Sequence, residues 1–219
     1  MNTHRSLPRR AALAATAFAA ALVVAASGGG ESTVTADTSA AASTTTTTTT
    51  TPASTPDDRH NQADVAFAQG MIPHHRQAVL MSDMVAAHGA SADVKTLAAE
   101  MRKAQVPEIE TMSGWLRAWG EKVPAGTGMD GMGHRDDGTG MPGMMDHREM
   151  GRLGDARGNA FDTMFLTMMI EHHEGAIDMA GTEKQRGAYG PAKDLADAII
   201  TSQTAEIARM RQMLDAGRP

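Results

Sequence analysis

The sequence predicts an all-α protein, a four-helix bundle built from two duplicated helical hairpins, and three observations lead there. Displaced by 98 residues, the chain matches itself without a gap, with 19 of 55 positions identical between residues 64 and 118. Both copies repeat their apolar residues at helical spacing, in continuous patterns over residues 58–88 and 92–119 and again over 160–186 and 191–215. Aromatic residues make up only 3% of the chain, and no segment alternates as a half-buried strand would.

The chain has 219 residues, enough for one compact domain with leader and linker segments. Met1 to Arg10 carries Arg5, Arg9 and Arg10, and an uncharged apolar run follows from Ala11 to Ala26. A basic start before a short apolar stretch reads as a signal peptide over residues 1–26, since a bilayer span needs about 20 apolar residues. Small residues at Val24-Ala25-Ala26 offer a cleavage point before Ser27. Residues 27–56 are rich in Thr, Ser and Ala, with eight consecutive threonines from Thr44 to Thr51. Such a segment has little to bury and reads as a disordered tether.

The first hairpin occupies residues 57–120, with a turn at His88-Gly89-Ala90-Ser91. A Met/His/Gly-rich connecting loop follows over residues 121–158. The second hairpin occupies residues 159–217, with a turn at Arg186-Gly187-Ala188-Tyr189-Gly190-Pro191. Ser91 and Pro191 are the residue types that open helices. Without the five charged residues before Asp57, the formal charge from there on is −7. That sign argues against nucleic acid or an anionic membrane as partner and favours cations.

The repeated residues share a face. At about 100° per residue, Asp64, Phe67, Met71, His74, His75, Ala78 and Met81 fall within an arc of about 120°. Their duplicates are Asp162, Phe165, Met169, His172, His173, Ala176 and Met179. On each second helix Gln105, Glu108, Ile109, Met112 and Leu116 share a face, repeated as Gln203, Glu206, Ile207, Met210 and Leu214. Phe67, Ala78, Leu97 and Leu116 read as bundle core. Two imidazoles, a carboxylate and a carboxamide on that face cost several kcal/mol to bury unless each is hydrogen-bonded or bound to a metal. One reading is a satisfied network of His with Glu or Asp; the other makes His74, His75, His172 and His173 metal ligands with Met71, Met81, Met112, Met169, Met179 and Met210. The readings are compatible, because a ligating imidazole usually passes its second N–H to a carboxylate. Glu108 and Glu206 are placed for that, with Gln105 and Gln203 beside them. Asp64 and Asp162 lie two turns before the histidines and suit orienting or capping roles.

Eighteen methionines exceed what the helix faces need. Between the hairpins stand Met129, Met132, His134, Met141, Met144, Met145 and His147, in a Gly-rich segment expected to have no core to fill. Thioethers with imidazoles are soft ligands suited to Cu(I) or Ag(I) and poor for Mg, Ca or Mn. The chain contains no cysteine, which removes thiolate sites, disulfides and, at Ser27, the lipidated residue of a lipoprotein signal.

Residues 64–214 resemble the domain-of-unknown-function 305 (DUF305) family. The residues that carry the likeness are Met71-Ile72-Pro73-His74-His75, Met168-Met169-Ile170-Glu171-His172-His173-Glu174 and the two Gln-x-x-Glu-Ile segments. The resemblance implies a ferritin-like four-helix bundle and, through CopM-type members, periplasmic copper binding and resistance. The expected function is therefore an exported, secreted, cell-surface or periplasmic protein that binds copper, Cu(I) favoured, for sequestration, buffering or delivery. Delivery would add another copper protein or a membrane transporter as partner. Two alternatives stand beside it: a di-iron oxidase on the same fold, and a bundle that binds no metal and presents a surface. The oxidase reading needs Glu-x-x-His motifs aimed inward, whereas Glu171 and Glu174 point away from the repeated face and Pro73 and Arg76 replace them in the first copy.

Overall fold

The start of each helix follows from a short polar signal. In the computed structural model, which describes residues 59–127 and 141–217, α1 spans Gln62–Met84. The Asn61 side chain accepts the N–H groups of Ala63 and Asp64, while the Asp64 carboxylate takes the Asn61 N–H. This reciprocal cap opens α1 four residues later than the apolar pattern begins. The helix runs through Pro73, whose missing N–H leaves the Gln69 carbonyl without its usual partner one turn before the histidines. It tightens into a 3₁₀ turn over Val85–Ala87 and stops at Gly89, whose φ of +68° suits a residue without Cβ.

Ser91 caps α2, Ala92–Ala118, through the Val94 N–H. Helix α4 covers Gly158–Arg186, and α5 covers Gly190–Ala216 with proline in its first turn. A further helix, α3, spans His147–Asp155 inside the segment expected to be loop. Its signal is Asp146-x-x-Glu149, which forms the same reciprocal cap as Asn61 and Asp64. The leader, the tether and Met129, Met132 and His134 lie outside the described residues. Among the described residues there is no strand, and no helix is long and apolar enough to cross a membrane.

Helices α1 and α4 lie antiparallel at the centre, with α2 packed on α1 and α5 on α4. The two hairpins are held together by an exchange of carboxylates. Asp64 at the start of α1 accepts the N–H groups of Ala188 and Tyr189 in the second hairpin's turn. Asp162, its duplicate on α4, accepts the N–H of Ser91 in the first hairpin's turn. Apolar side chains fill the bundle in two clusters, one around Phe161, Phe165 and Leu97 and the other around Phe67, Ile72 and Ile199. Each such side chain contributes about 1.5–3 kcal/mol by leaving water.

One buried group departs from the duplication. Glu183 stands where the first copy has Val85, and both positions are buried. Its carboxyl meets that of Asp64 beside Gly187, where a Cβ would lie 2.0 Å from Glu183 Oε1 and 2.8 Å from Asp64 Oδ1. Read as two carboxylates, Glu183 has no partner; with one proton between them, it donates to Asp64. Burial, the bond to Asp64 and the Asp64 charge push Glu183 up to about 8, against the pull of Lys193. Burial alone would also raise Asp64, but the Glu183 bond and the N–H groups of Asn61, Tyr189 and Ala188 outweigh it and hold it below its ordinary value.

Native Glu183 therefore keeps a proton that the unfolded chain releases near 4.5, so its contribution to stability is lost as pH rises through the window from 4.5 to about 8. Glu183→Gln, which mimics the protonated form, is expected to flatten that decline and to be the more stable protein above the window. Urea unfolding across the range measures it; an unchanged slope in the variant would remove the shared proton from the account.

Candidate metal centre

The four repeated histidines have no solvent exposure and form one row across the middle of the bundle. The rings of His74 on α1 and His172 on α4 lie with centroids 3.8 Å apart at 43°, and His172 and His173 are 6.3 Å apart. At each end of the row stands a carboxylate from the neighbouring helix. His75 Nε2 is 2.7 Å from Glu108 Oε2, and His173 Nε2 is 2.6 Å from Glu206 Oε2. Both glutamates keep about a fifth of their side chain in water, at 19% and 21%.

These partners fix the tautomers. A carboxylate or a carbonyl can only accept, so His75 and His173 donate from Nε2 to the glutamates, and His74 donates from Nε2 to the Pro142 carbonyl at 3.0 Å. Nδ1 of His74, His75 and His173 has no hydrogen-bond partner, and neither nitrogen of His172 makes a hydrogen bond of ordinary geometry, the His74 backbone being its nearest weak partner. Burial, reinforced by the neighbouring His75, lowers His74 to about 3 even though the Pro142 carbonyl opposes it. Burial, with His74, His173 and His75 around it, holds His172 well below the usual imidazole value. These two rings are neutral, the form that binds a metal. Gln105 and Gln203, on α2 and α5, are also buried with Oε1 unpartnered.

The connecting segment crosses this row, contrary to the expectation of a loop with nothing to pack on. Met145 is 2% exposed and belongs to the apolar core. The Gln77 carboxamide, fully buried on α1, donates to the Met145 carbonyl and accepts the Met145 N–H, both at 2.8 Å. Gly143, at φ +73°, and Gly175 on α4 let the backbones touch: a Cβ on Gly175 would lie 2.1 Å from the Pro142 oxygen. Met141 and Met144 are half-buried, and His147 opens α3 on the surface.

The methionines group differently from the sequence expectation. Met71 and Met81 are ten residues apart on α1, about 15 Å along a helix axis, and cannot hold one ion together. Met71 and Met112 belong to one apolar cluster with Met179 packed against it, while Met81 joins Met169 and Met210 in the other. Each set mixes the two repeats because α1 and α4 run antiparallel. Met141 also reaches the first set: its sulfur and the Met179 methyl lie 3.9 and 2.8 Å from where a Gly70 Cβ would be.

Among the described residues no three imidazoles or carboxylates are grouped at metal-ligand spacing. A site in this arrangement would join one or two imidazoles to thioethers. Asp64 and Asp162 serve the hairpin turns, apart from the histidines, and Glu171 and Glu174 are exposed. The sequence reading missed Gln77, Gly175 and Glu183; Gln77 and Glu183 sit where the duplicate is Gly175 or Val85, so the repeat comparison passes over them.

Fold and centre together define a duplicated antiparallel helical bundle with an imidazole-lined middle. The chain belongs to the DUF305 family: the family described as "Domain of unknown function (DUF305)" matches residues 64–214. A DUF305 protein of Streptomyces coelicolor is similar at 35% identity, with a TM-score of 0.63 over 71% of this chain and 93% of that one. CopM in its Cu(II)-bound form is similar at 33% identity and TM-score 0.60, covering 71% and 97%. CopM in its Cu(I)-bound form gives 30% and 0.58, covering 71% and 98%. No functionally curated protein shows significant similarity to the chain.

A buried polar group without a partner costs about 1–3 kcal/mol, and His172 carries two such atoms. His172→Leu is therefore expected to leave the metal-free protein as stable as the wild type, or more so, in urea unfolding. A loss above about 3 kcal/mol, the scale of a core cavity, would mark His172 as a packing residue.

Proposed function

We propose that the protein is an exported binder of Cu(I) and Ag(I) that sequesters or buffers the metal outside the cytoplasm. The observation that carries this reading is the row of buried imidazoles whose Nδ1 atoms have no hydrogen-bond partner in the protein. A bundle gains nothing from leaving such atoms unpaired unless something else fills them. Glu108 and Glu206 supply the outer partner that fixes ring orientation in metal-binding histidines. Thioethers close to imidazoles select soft monovalent ions.

The ligands proposed are the touching pair His74 and His172, flanked by His75 and His173, with Met71, Met112 and Met179 available on one side and Met81, Met169 and Met210 on the other. Gln105 and Gln203 remain available as weak oxygen donors. Because His74 and His172 touch, we read the centre as shared between the repeats instead of two separate copies. Met129, Met132, His134, Met141, Met144 and His147 are proposed to collect the ion before the centre takes it. Similarity to CopM, described in Cu(I), Cu(II) and Ag forms, agrees with a copper ligand. The apolar leader over residues 1–26 supports export, and an acceptor protein or transporter would be needed only if the metal is handed on.

In competition with a chromophoric Cu(I) chelator, the purified mature chain is expected to retain Cu(I) and Ag(I) well ahead of Zn(II) and Fe(II). Replacing His74 and His75 with Ala should abolish the tight binding altogether, since the centre is shared. Loss of only half would restore two independent sites, and zinc held as tightly as copper would end the soft-metal reading.

A further inference from the structure

We propose that residues 141–146 form a strap that gates the imidazole centre, and that Gln77 and Gly175 are the positioning residues that seat it. The inference rests on the metal-binding reading for its purpose but on the packing for its existence. All four imidazoles are shut off from solvent, so an ion can reach Nδ1 only if something moves. The bundle helices are held by their backbone hydrogen bonds and two apolar clusters, and displacing one exposes core. The strap is different. Pro142 is exposed on its outer side while its carbonyl accepts the His74 proton on its inner side, so one residue of chain separates that ring from water.

Besides the His74–Pro142 bond, three contacts hold the strap, and they are of unequal kinds. The Met145 side chain is anchored in core. The Met145 backbone is held by both ends of the Gln77 carboxamide, as a neighbouring strand would hold it. The Pro142-Gly143 peptide lies against α4 only because Gly175 has no side chain and Gly143 none either. Gln77 and Gly175 occupy the same position in the two repeats, 98 residues apart. One copy supplies the clamp, and the other the space the strap needs. The duplicated helices could not treat the two sides so differently unless these two residues had diverged. Lifting the Pro142 end about the Met145 anchor frees His74 Nε2, opens a way to His172 beneath and carries the Met141 thioether with it.

The test uses the full mature chain with two seat-breaking variants, Gln77→Ala and Gly175→Ala, and Met145→Leu as a control that keeps both backbone hydrogen bonds. Carbethoxylation of each histidine, followed by peptide mass mapping, reports access to the rings without any metal. Ag(I) uptake, followed by stopped flow, reports the function. Both seat-breaking variants are expected to label His74 and His172 faster, on the order of 10-fold or more for the loss of hydrogen bonds that close the strap. Uptake and release of Ag(I) should accelerate together, leaving affinity nearly unchanged. Gln77→Glu, which keeps the bond from the Met145 N–H and loses the other, should fall between, and is available if Gln77→Ala does not fold. Wild-type labelling and uptake rates in folded variants would overturn the gate. So would faster hydrogen exchange spread over α2 and α5 instead of confined to residues 141–146, because that is general loosening. If labelling accelerates while no form of the protein takes up Ag(I) or Cu(I), the strap stands and the metal-binding reading falls.

Discussion

Imidazole nitrogens taken out of water need partners, and in this bundle the need is met on one side of each ring and left open on the other. Nε2 of three histidines is satisfied by Glu108, Glu206 or Pro142, while Nδ1 is left without a partner. The rest of the molecule can be understood as what makes that arrangement tolerable. Two apolar clusters and four hairpin helices supply the stability, and the carboxylate exchange at the turns fixes how the hairpins meet. With the rings held in place by their outer partners, the Nδ1 atoms are pre-organised, so a bound ion would not have to order them itself.

Much of this was legible in the sequence. The 98-residue repeat and the helical period point to the four bundle helices and the residues on their inner face, because both are consequences of a backbone that repeats every 3.6 residues. The same face analysis put Glu108 and Glu206 within reach of the histidine pairs and Glu171 and Glu174 on the outside; that His75 and His173 are the rings that take the glutamates is seen only in the structure. Ser91 announces α2 by its chemistry alone.

What was not legible concerns height along the helices and everything that breaks the duplication. An angular projection discards axial distance, so it put Met71 and Met81 together, although the antiparallel packing pairs Met81 with Met169 and Met210 and brings Met179 to Met71. The Gly-rich composition of the connecting segment hid α3 and the core position of Met145, since neither depends on a long periodic run. Gln77, Gly175 and Glu183 are visible only as positions where the copies disagree. A search for agreement is blind to them.

The exchange of Asp64 and Asp162 between the hairpin turns bears on how such a chain can come about. Each hairpin uses the other to complete its turn, residue for residue, which is the reciprocal contact of a two-fold symmetric dimer. The two hairpins are therefore placed as the subunits of a two-fold symmetric dimer would be, within one chain. A true homodimer must place the same side chain at both related positions. A single chain is free of that obligation, and this one carries Gln77 on one helix with Gly175 at the related place, and Glu183 against Val85. The linker that joins the subunits has in turn become a part of the structure that symmetry would have forbidden, lying over one side of the central pair of helices.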